Sequence, residues 1–299
     1  NAYSVELAEG GSLTLDPEKS ESWSAGFAWD QPFTNAFGLS LSATYYEIEV
    51  RNTIIEPSGQ FIINDCYESP TGNSVFCDRI DRDLSDPTQP FIDFIDQGFL
   101  NRDQEQARGL DINLAFDDTF TLFNRPIDFS SDIVANRQYE RSTLFVSEDL
   151  VPDAQSFQGE WGFPEWRVQA LFRFDYDDFR LTWETRYTGS VQQKEEEVDP
   201  FSDAFTFSDT CLGPPDDVLC RDYADAGNYF IHNISMYFYG DRWTFGGGIR
   251  NLLDEEPPIV DTSTVGAPLS VNNTPLGYGY DLNGRTYFLN VAVSFGGSQ

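Results

Sequence analysis

The sequence predicts an all-β protein whose strands form part of an antiparallel transmembrane β-barrel. Three observations carry that expectation: apolar residues recur with a period of two, aromatic residues are abundant, and short turns alternate with long loops. The clearest strand is the run Gly284 to Phe295. Tyr287, Leu289, Val291, Val293 and Phe295 share one parity, and Thr286, Phe288, Asn290, Ala292 and Ser294 share the other. Such a strand separates two different surroundings. They are either a soluble core and water, or lipid and a watery lumen.

Composition narrows the choice. No stretch approaches the roughly 18 uncharged apolar residues of a spanning helix, so a helical membrane protein is excluded. A barrel is not, because its lipid face takes only every second residue. The hydrophobic share is an ordinary 40%, yet aromatics reach 15%, which argues against disorder. The net charge of -32 excludes a general basic field for nucleic acid and puts the acids in solvated loops. The chain begins at Asn1 with neither an initiator Met nor a signal peptide, which predicts a processed product or part of something longer.

Taken in order, residues 1–19 read as loop. Trp23, Ala25, Phe27 and Trp29 mark a first strand, and Gln31 to Phe37 a tight turn. Leu39, Leu41, Ala43 and Tyr45 mark a second strand, whose phase breaks beyond Tyr45 and so predicts a bulge or an exit from the apolar layer. A polar loop spans about Asn52 to Asp103. Leu110, Ile112, Leu114 and Phe116 form a third strand, Asp117 to Thr119 a turn, and Ile127, Phe129, Ile133 and Ala135 a fourth strand. A loop follows from about Arg141 to Phe163.

The next two strands have the sharpest faces. Val168, Phe172, Phe174 and Trp183 fall on an uncharged parity, predicted to face lipid together with Tyr287, Leu289, Val291, Val293 and Phe295. Arg167, Gln169, Arg173, Arg180, Glu184 and Arg186 fall on the opposite parity, predicted to face the lumen. A loop from Gly189 to Asp222 leads to a seventh strand with Phe230, Ile234, Met236 and Phe238. Gly240–Asp241 turns it into an eighth with Trp243, Phe245 and Ile249, and a loop from Asp254 to Asn283 leads to the ninth.

The connections decide between the two surroundings. Turns of a few residues alternate strictly with long loops, as in outer-membrane barrels and without reason in a secreted β-sandwich. Single-chain bacterial barrels normally have even strand numbers, and nine strands leave two unpaired edges in lipid. The expectation is the C-terminal portion, about nine strands, of a larger barrel.

Cys66 and Cys77, and Cys211 and Cys220, fall as two local pairs, which predicts nearest-neighbour disulfides and an oxidising compartment. A zinc site competes poorly, since no Cys-x-x-Cys spacing occurs. No nucleophile motif or phosphate loop is present, and His232 sits in an aromatic strand as a girdle or lumen residue, so no enzyme and no cofactor are expected. Asp81-x-Asp-x-x-Asp86 and Glu195 to Asp199 offer carboxylates for loop-bound calcium, against the plainer reading of solvated acidic loops. Trp161, Tyr223, Tyr278 and Tyr280 lie near the outer strand ends. There an aromatic ring either stacks on a ligand or anchors the interface.

These residues resemble a known family. Leu15-Asp-Pro-Glu-Lys-Ser20 before a Trp-containing strand, Gln106-Ala-Arg-Gly-Leu-Asp111, Ile249-Arg-Asn-Leu-Leu-Asp-Glu-Glu-Pro-Pro258, and Gly284-Arg285 to Phe295 are similar, in order and spacing, to the C-terminal half of TonB-dependent outer-membrane receptors. The resemblance implies a barrel of about 22 strands in the bacterial outer membrane, with an N-terminal plug and earlier strands outside this chain. It implies energy-coupled nutrient uptake through the TonB complex. The paired loop cysteines resemble the branch associated with oligosaccharides, which implies a carbohydrate or similar organic substrate and a surface lipoprotein partner. An acidic outer surface also disfavours anionic ferric siderophores. A siderophore receptor is the alternative within transport, and a passive porin or structural surface barrel the alternative outside it. One departure stands out: the family usually ends on the aromatic residue of its last strand, whereas here Phe295 is followed by Gly-Gly-Ser-Gln299.

Overall fold

The computed structural model describes residues 4–69, 74–85, 91–122, 124–146, 152–192, 225–258, 270–271 and 274–295. Nine strands make one antiparallel sheet. They are β1 (Lys19–Asp30), β2 (Phe37–Ile55), β3 (Leu100–Leu122), β4 (Arg125–Val146) and β5 (Trp166–Tyr176), followed by β6 (Phe179–Thr188), β7 (Tyr229–Tyr239), β8 (Trp243–Arg250) and β9 (Thr286–Val293). Sheet order follows chain order, with β1 and β9 at the two edges and the short strand Pro152–Ser156 added beside β4. The described chain forms two compact units, one of residues 1–23, 47–108 and 140–156, the other of residues 24–46, 109–139 and 157–299.

In the second unit the register shows why the period is two. Opposed residues of an antiparallel ladder share a face. Phe129, Phe174, Leu181, Met236, Gly247 and Leu289 therefore form one row across six strands, and Ser131, Phe172, Trp183, Ile234, Ile249 and Tyr287 the next. The row between them lies on the other face and reads Ser130, Arg173, Thr182, Ser235, Gly248 and Phe288. The apolar rows stay open to their surroundings, with Trp183 43%, Met236 56% and Leu289 91% exposed. A monomer in water rarely tolerates so continuous an apolar face, whereas a bilayer requires one. Among the described residues no helix is long and apolar enough to cross a membrane.

Strand length separates what crosses from what does not. With 11 and 10 residues, β5 and β6 match the roughly 9–11 residues of a tilted crossing. β3 has 23 residues and β4 has 22, far beyond that need. The structure thus corrects the expected loops: β3 begins at Leu100 and β4 runs on to Val146. The third strand also passes through Asp117, Asp118 and Thr119 instead of turning there. Thr119 donates to Asp128 across the hairpin at 2.7 Å, and the turn falls at Asn124, whose φ of 61° suits an asparagine. At the phase break after Tyr45 the chain remains in β2 and passes from the second unit to the first.

The first unit holds a small fold of its own where a polar loop was expected. Helix α1 (Gly59–Glu68) is capped by Ser58, whose hydroxyl accepts from the Phe61 N–H at 3.2 Å. Ile62, Cys66, Phe76, Ile80 and Ile95 form its core, and Cys66 is bonded to Cys77 as the spacing predicts. Residues 1–19 are not all loop either. Glu6–Ala8 pairs in parallel with Phe91–Asp96, which pairs on its other side with Ile80–Asp83. Three residues are too few for a period of two to show.

Candidate functional site

The polar face of the second unit is a connected wall. The Asp175 carboxylate accepts from Arg180 Nε and Nη2 at 2.6 and 3.3 Å, and Asp132 faces Arg173 at 3.5 Å. Gln169 and Asn233 both donate to Glu184 at 2.8 Å, and Asn233 accepts from the Asn251 N–H at 2.9 Å. Arg167 and Arg186 are exposed on the same face, with Arg167 donating to the Gly162 carbonyl at 2.7 Å. The six residues read from sequence as lumen-facing thus share one face by register. Val168, Phe172, Phe174 and Trp183 share the other with Tyr287, Leu289, Val291 and Val293. Phe295 lies just past β9 and is 93% exposed. His232 sits on the apolar parity, its Nδ1 2.9 Å from the Thr185 hydroxyl and its ring edge-on to Trp183.

The Gly246-Gly-Gly248 run serves both faces. A Cβ on Gly246 would lie 2.1 Å from the Tyr237 ring and one on Gly248 2.7 Å from the Phe288 ring, so these two rings lie flat on the polar wall only because glycine is beneath them. Gly247 faces the other way. It forms the floor of an apolar groove of about 760 Å³ lined by Met236, Phe245, Ile249, Tyr287 and Leu289, on the apolar face of the sheet.

Two sequence motifs meet where β8 ends and β9 begins. Asn251 is fully buried at a φ of 51°; its amide donates to the Glu255 carbonyl at 2.9 Å and its Oδ1 accepts the Glu255 N–H at 2.8 Å. Asp254 accepts from the Arg285 N–H at 2.7 Å, and Arg285 Nε donates to the Leu252 carbonyl at 3.1 Å. The spacing of Asn251 to Glu255 is therefore that of a closed side-chain turn. Asn251→Ala loses both bonds and keeps the left-handed backbone, so it should lower stability by about 2–4 kcal/mol, summed from unpaired buried groups and the strained φ. Thermal unfolding of the purified protein in detergent measures this.

At the long-loop end, three loops share one buried cluster. Trp161 from the β4–β5 connection is only 6% exposed and packs with Val191, Ala226, Tyr278 and Tyr280. Its ring meets Tyr280 and Tyr278 edge-on at centroid distances of 5.8 and 6.3 Å, and Tyr280 meets Tyr229 at 4.9 Å. The structure thus brings three of the four aromatic candidates together; Tyr223 lies outside the described residues, as do Cys211, Cys220, Asp86 and Glu195 to Asp199. Neither register nor loop length announced this contact, because each residue comes from a different connection or from the far end of one.

Burial pushes the Tyr280 phenol up to about 12, only partly opposed by Arg167. Because the neutral form is favoured in the fold, this group leaves stability unchanged below the free phenol's ~10. The cluster should then weaken as pH rises from about 10 to about 12. Tyrosinate absorbance is expected to lose one late-ionising phenol in Tyr280→Phe.

An amphipathic sheet with short turns at one end and long, partly folded connections at the other defines an outer-membrane barrel segment. Residues 4–252 match the family described as TonB dependent receptor-like, beta-barrel, and the chain belongs to that family. It is a family of non-enzymatic transporters resident in the bacterial outer membrane. Among solved structures, the siderophore receptor PirA from Acinetobacter baumannii is 12% identical with a TM-score of 0.51, over 94% of this chain and 32% of that one. The ferric enterobactin receptor PfeA from Pseudomonas aeruginosa, as a mutant in complex with enterobactin, is 13% identical with a TM-score of 0.51, over 93% of this chain and 32% of that one. The chain therefore spans about a third of the length of these receptors. A search of curated proteins gives no match.

Proposed function

We propose that this chain is the C-terminal part of the barrel of an energy-coupled nutrient receptor, with its polar face lining the lumen and its aromatic loop cluster serving substrate capture. The strand directions support a larger barrel. β1 and β9 both run from the long-loop end to the short-turn end, so they cannot pair antiparallel with each other. Closing the sheet takes an odd number of further strands, as the resemblance to a barrel of about 22 implies, and a plug seated in the lumen fits the hydrogen-bonding wall. TonB is the energy-coupling partner in this reading, and a surface lipoprotein an outer one.

For the substrate, the observation that carries most weight is charge. A chain at -32 repels polyanions and admits neutral solutes, which favours a carbohydrate or similar organic nutrient. A strain lacking the gene should lose growth on, and TonB-dependent uptake of, particular oligosaccharides while retaining growth on chelated iron. Loss of growth on a ferric siderophore alone would replace the carbohydrate reading with the siderophore one. Uptake that persists without TonB would mean a passive pore.

A further inference from the structure

Trp161 keeps a buried hydrogen-bond donor without an acceptor. Its Nε1 is fully enclosed and has no partner among the described residues, and the residue is only 6% exposed. Leaving an N–H of this kind unpaired is unfavourable, and an indole that is buried normally finds an acceptor. Val191 and Ala226 pack on it, and Tyr280 and Tyr278 meet it edge-on.

Tyr278 is held differently from the rest of the cluster. It is half-buried, and its ring lies against Gly162, where a Cβ would come within 3.0 Å of it. On either side stand Gly277 and Gly279, with φ of +83° and +91° and open space where a Cβ would project. Paired glycines of this kind let the intervening residue change direction at little steric cost. Tyr280, by contrast, is wedged between Trp161 and Tyr229.

We propose that Tyr278 is a hinged cover and that the Trp161 indole beneath it is a subsite for a neutral sugar ring. A hydroxyl oxygen of the sugar, entering in the plane of the indole as Tyr278 swings away, accepts the orphaned Nε1–H. The inference rests on the carbohydrate reading and adds to it the contact and the moving part. Because the cluster is built from three loops, filling it reports to all of them at once.

The test uses the whole receptor in nanodiscs, with tryptophan labelled at the indole nitrogen and Trp161→Phe to assign the resonance. Maltotriose, cellotriose and diacetylchitobiose are each added at millimolar concentration. One of them should shift the Trp161 N–H resonance. Trp161→Phe, which keeps an aromatic ring but has no donor, should weaken that sugar's binding about tenfold, the scale of one hydrogen bond. Tyr278→Ala should tighten it severalfold, because no closed cover has to be displaced, with unchanged thermal unfolding as the control for folding. If Tyr278→Ala weakens binding as Trp161→Phe does, Tyr278 is a platform and the cover is disproved. If the receptor imports one of these sugars with no change at Trp161, the subsite is wrong and the carbohydrate reading survives. If no sugar binds or is imported, both fall together.

Discussion

Phe172→Arg should impair membrane insertion by about 2–4 kcal/mol, the range for a cation on the lipid face of a barrel near the bilayer midplane. Phe172 lies near the middle of β5, opposite Trp183 in register and with Phe129 stacked at 6.5 Å. An arginine there has neither water nor a carboxylate on its own face, and long side chains reach the interface from mid-strand with difficulty. Gln169→Arg is the matched control. Gln169 stands on the opposite face and bonds Glu184, so a cation at that position keeps an anionic neighbour and should cost far less. Folding into liposomes under urea, read by heat-modifiable mobility on gels, compares the two. Equal losses would count against the assignment of faces.

Breaking the Cys66–Cys77 bond should have an effect of similar size confined to the first unit. The bond closes a short loop between α1 and the residues after it, and both partners belong to the small core of Ile62, Phe76, Ile80 and Ile95. Removing a disulfide from so small a fold typically costs about 2–4 kcal/mol, more than a core of five buried side chains readily spares. Cys66→Ser with Cys77→Ser, or reduction, is therefore expected to abolish amide protection in α1 and open residues 59–83 to protease. The strands of the second unit should keep their protection. Retained protection of α1 would show that its hydrophobic core suffices alone.

The pattern of what sequence reveals follows from solvent. Between β4 and β9 one face of the sheet is apolar and the other polar, so parity is written into Phe172 against Arg173 and Trp183 against Glu184. Farther along β4, Arg141 to Val146 runs Arg-Ser-Thr-Leu-Phe-Val without alternation and so reads as loop although it is strand. Helix α1 was missed for a related reason. Gln60 to Tyr67 is rich in apolar residues, among them Phe61, Ile62, Ile63 and Cys66, but the run is too short for a helical period to stand out.

The candidate site was legible in kind but not in arrangement. Trp161, Tyr278 and Tyr280 were identifiable as aromatics near the outer strand ends. That they touch depends on the folds of three separate connections. The Asn251 turn was visible as a motif and unexplained until Asn251, Asp254 and Arg285 came together. The rings that fill the space above Gly246 and Gly248 were not foreseeable, since they come from the neighbouring strands β7 and β9.

The central claim is that β5 and β6 stand between lipid and a polar lumen. The most direct measurement is a spin-label scan of successive residues from Arg167 to Phe174 in the receptor reconstituted in bilayers. Oxygen, which concentrates in lipid, should relax labels at Val168, Ala170, Phe172 and Phe174, and a water-soluble nickel chelate should relax those at Arg167, Gln169, Leu171 and Arg173. A strict alternation with this phase is the predicted result. The opposite phase, or accessibility without a period of two, would contradict it.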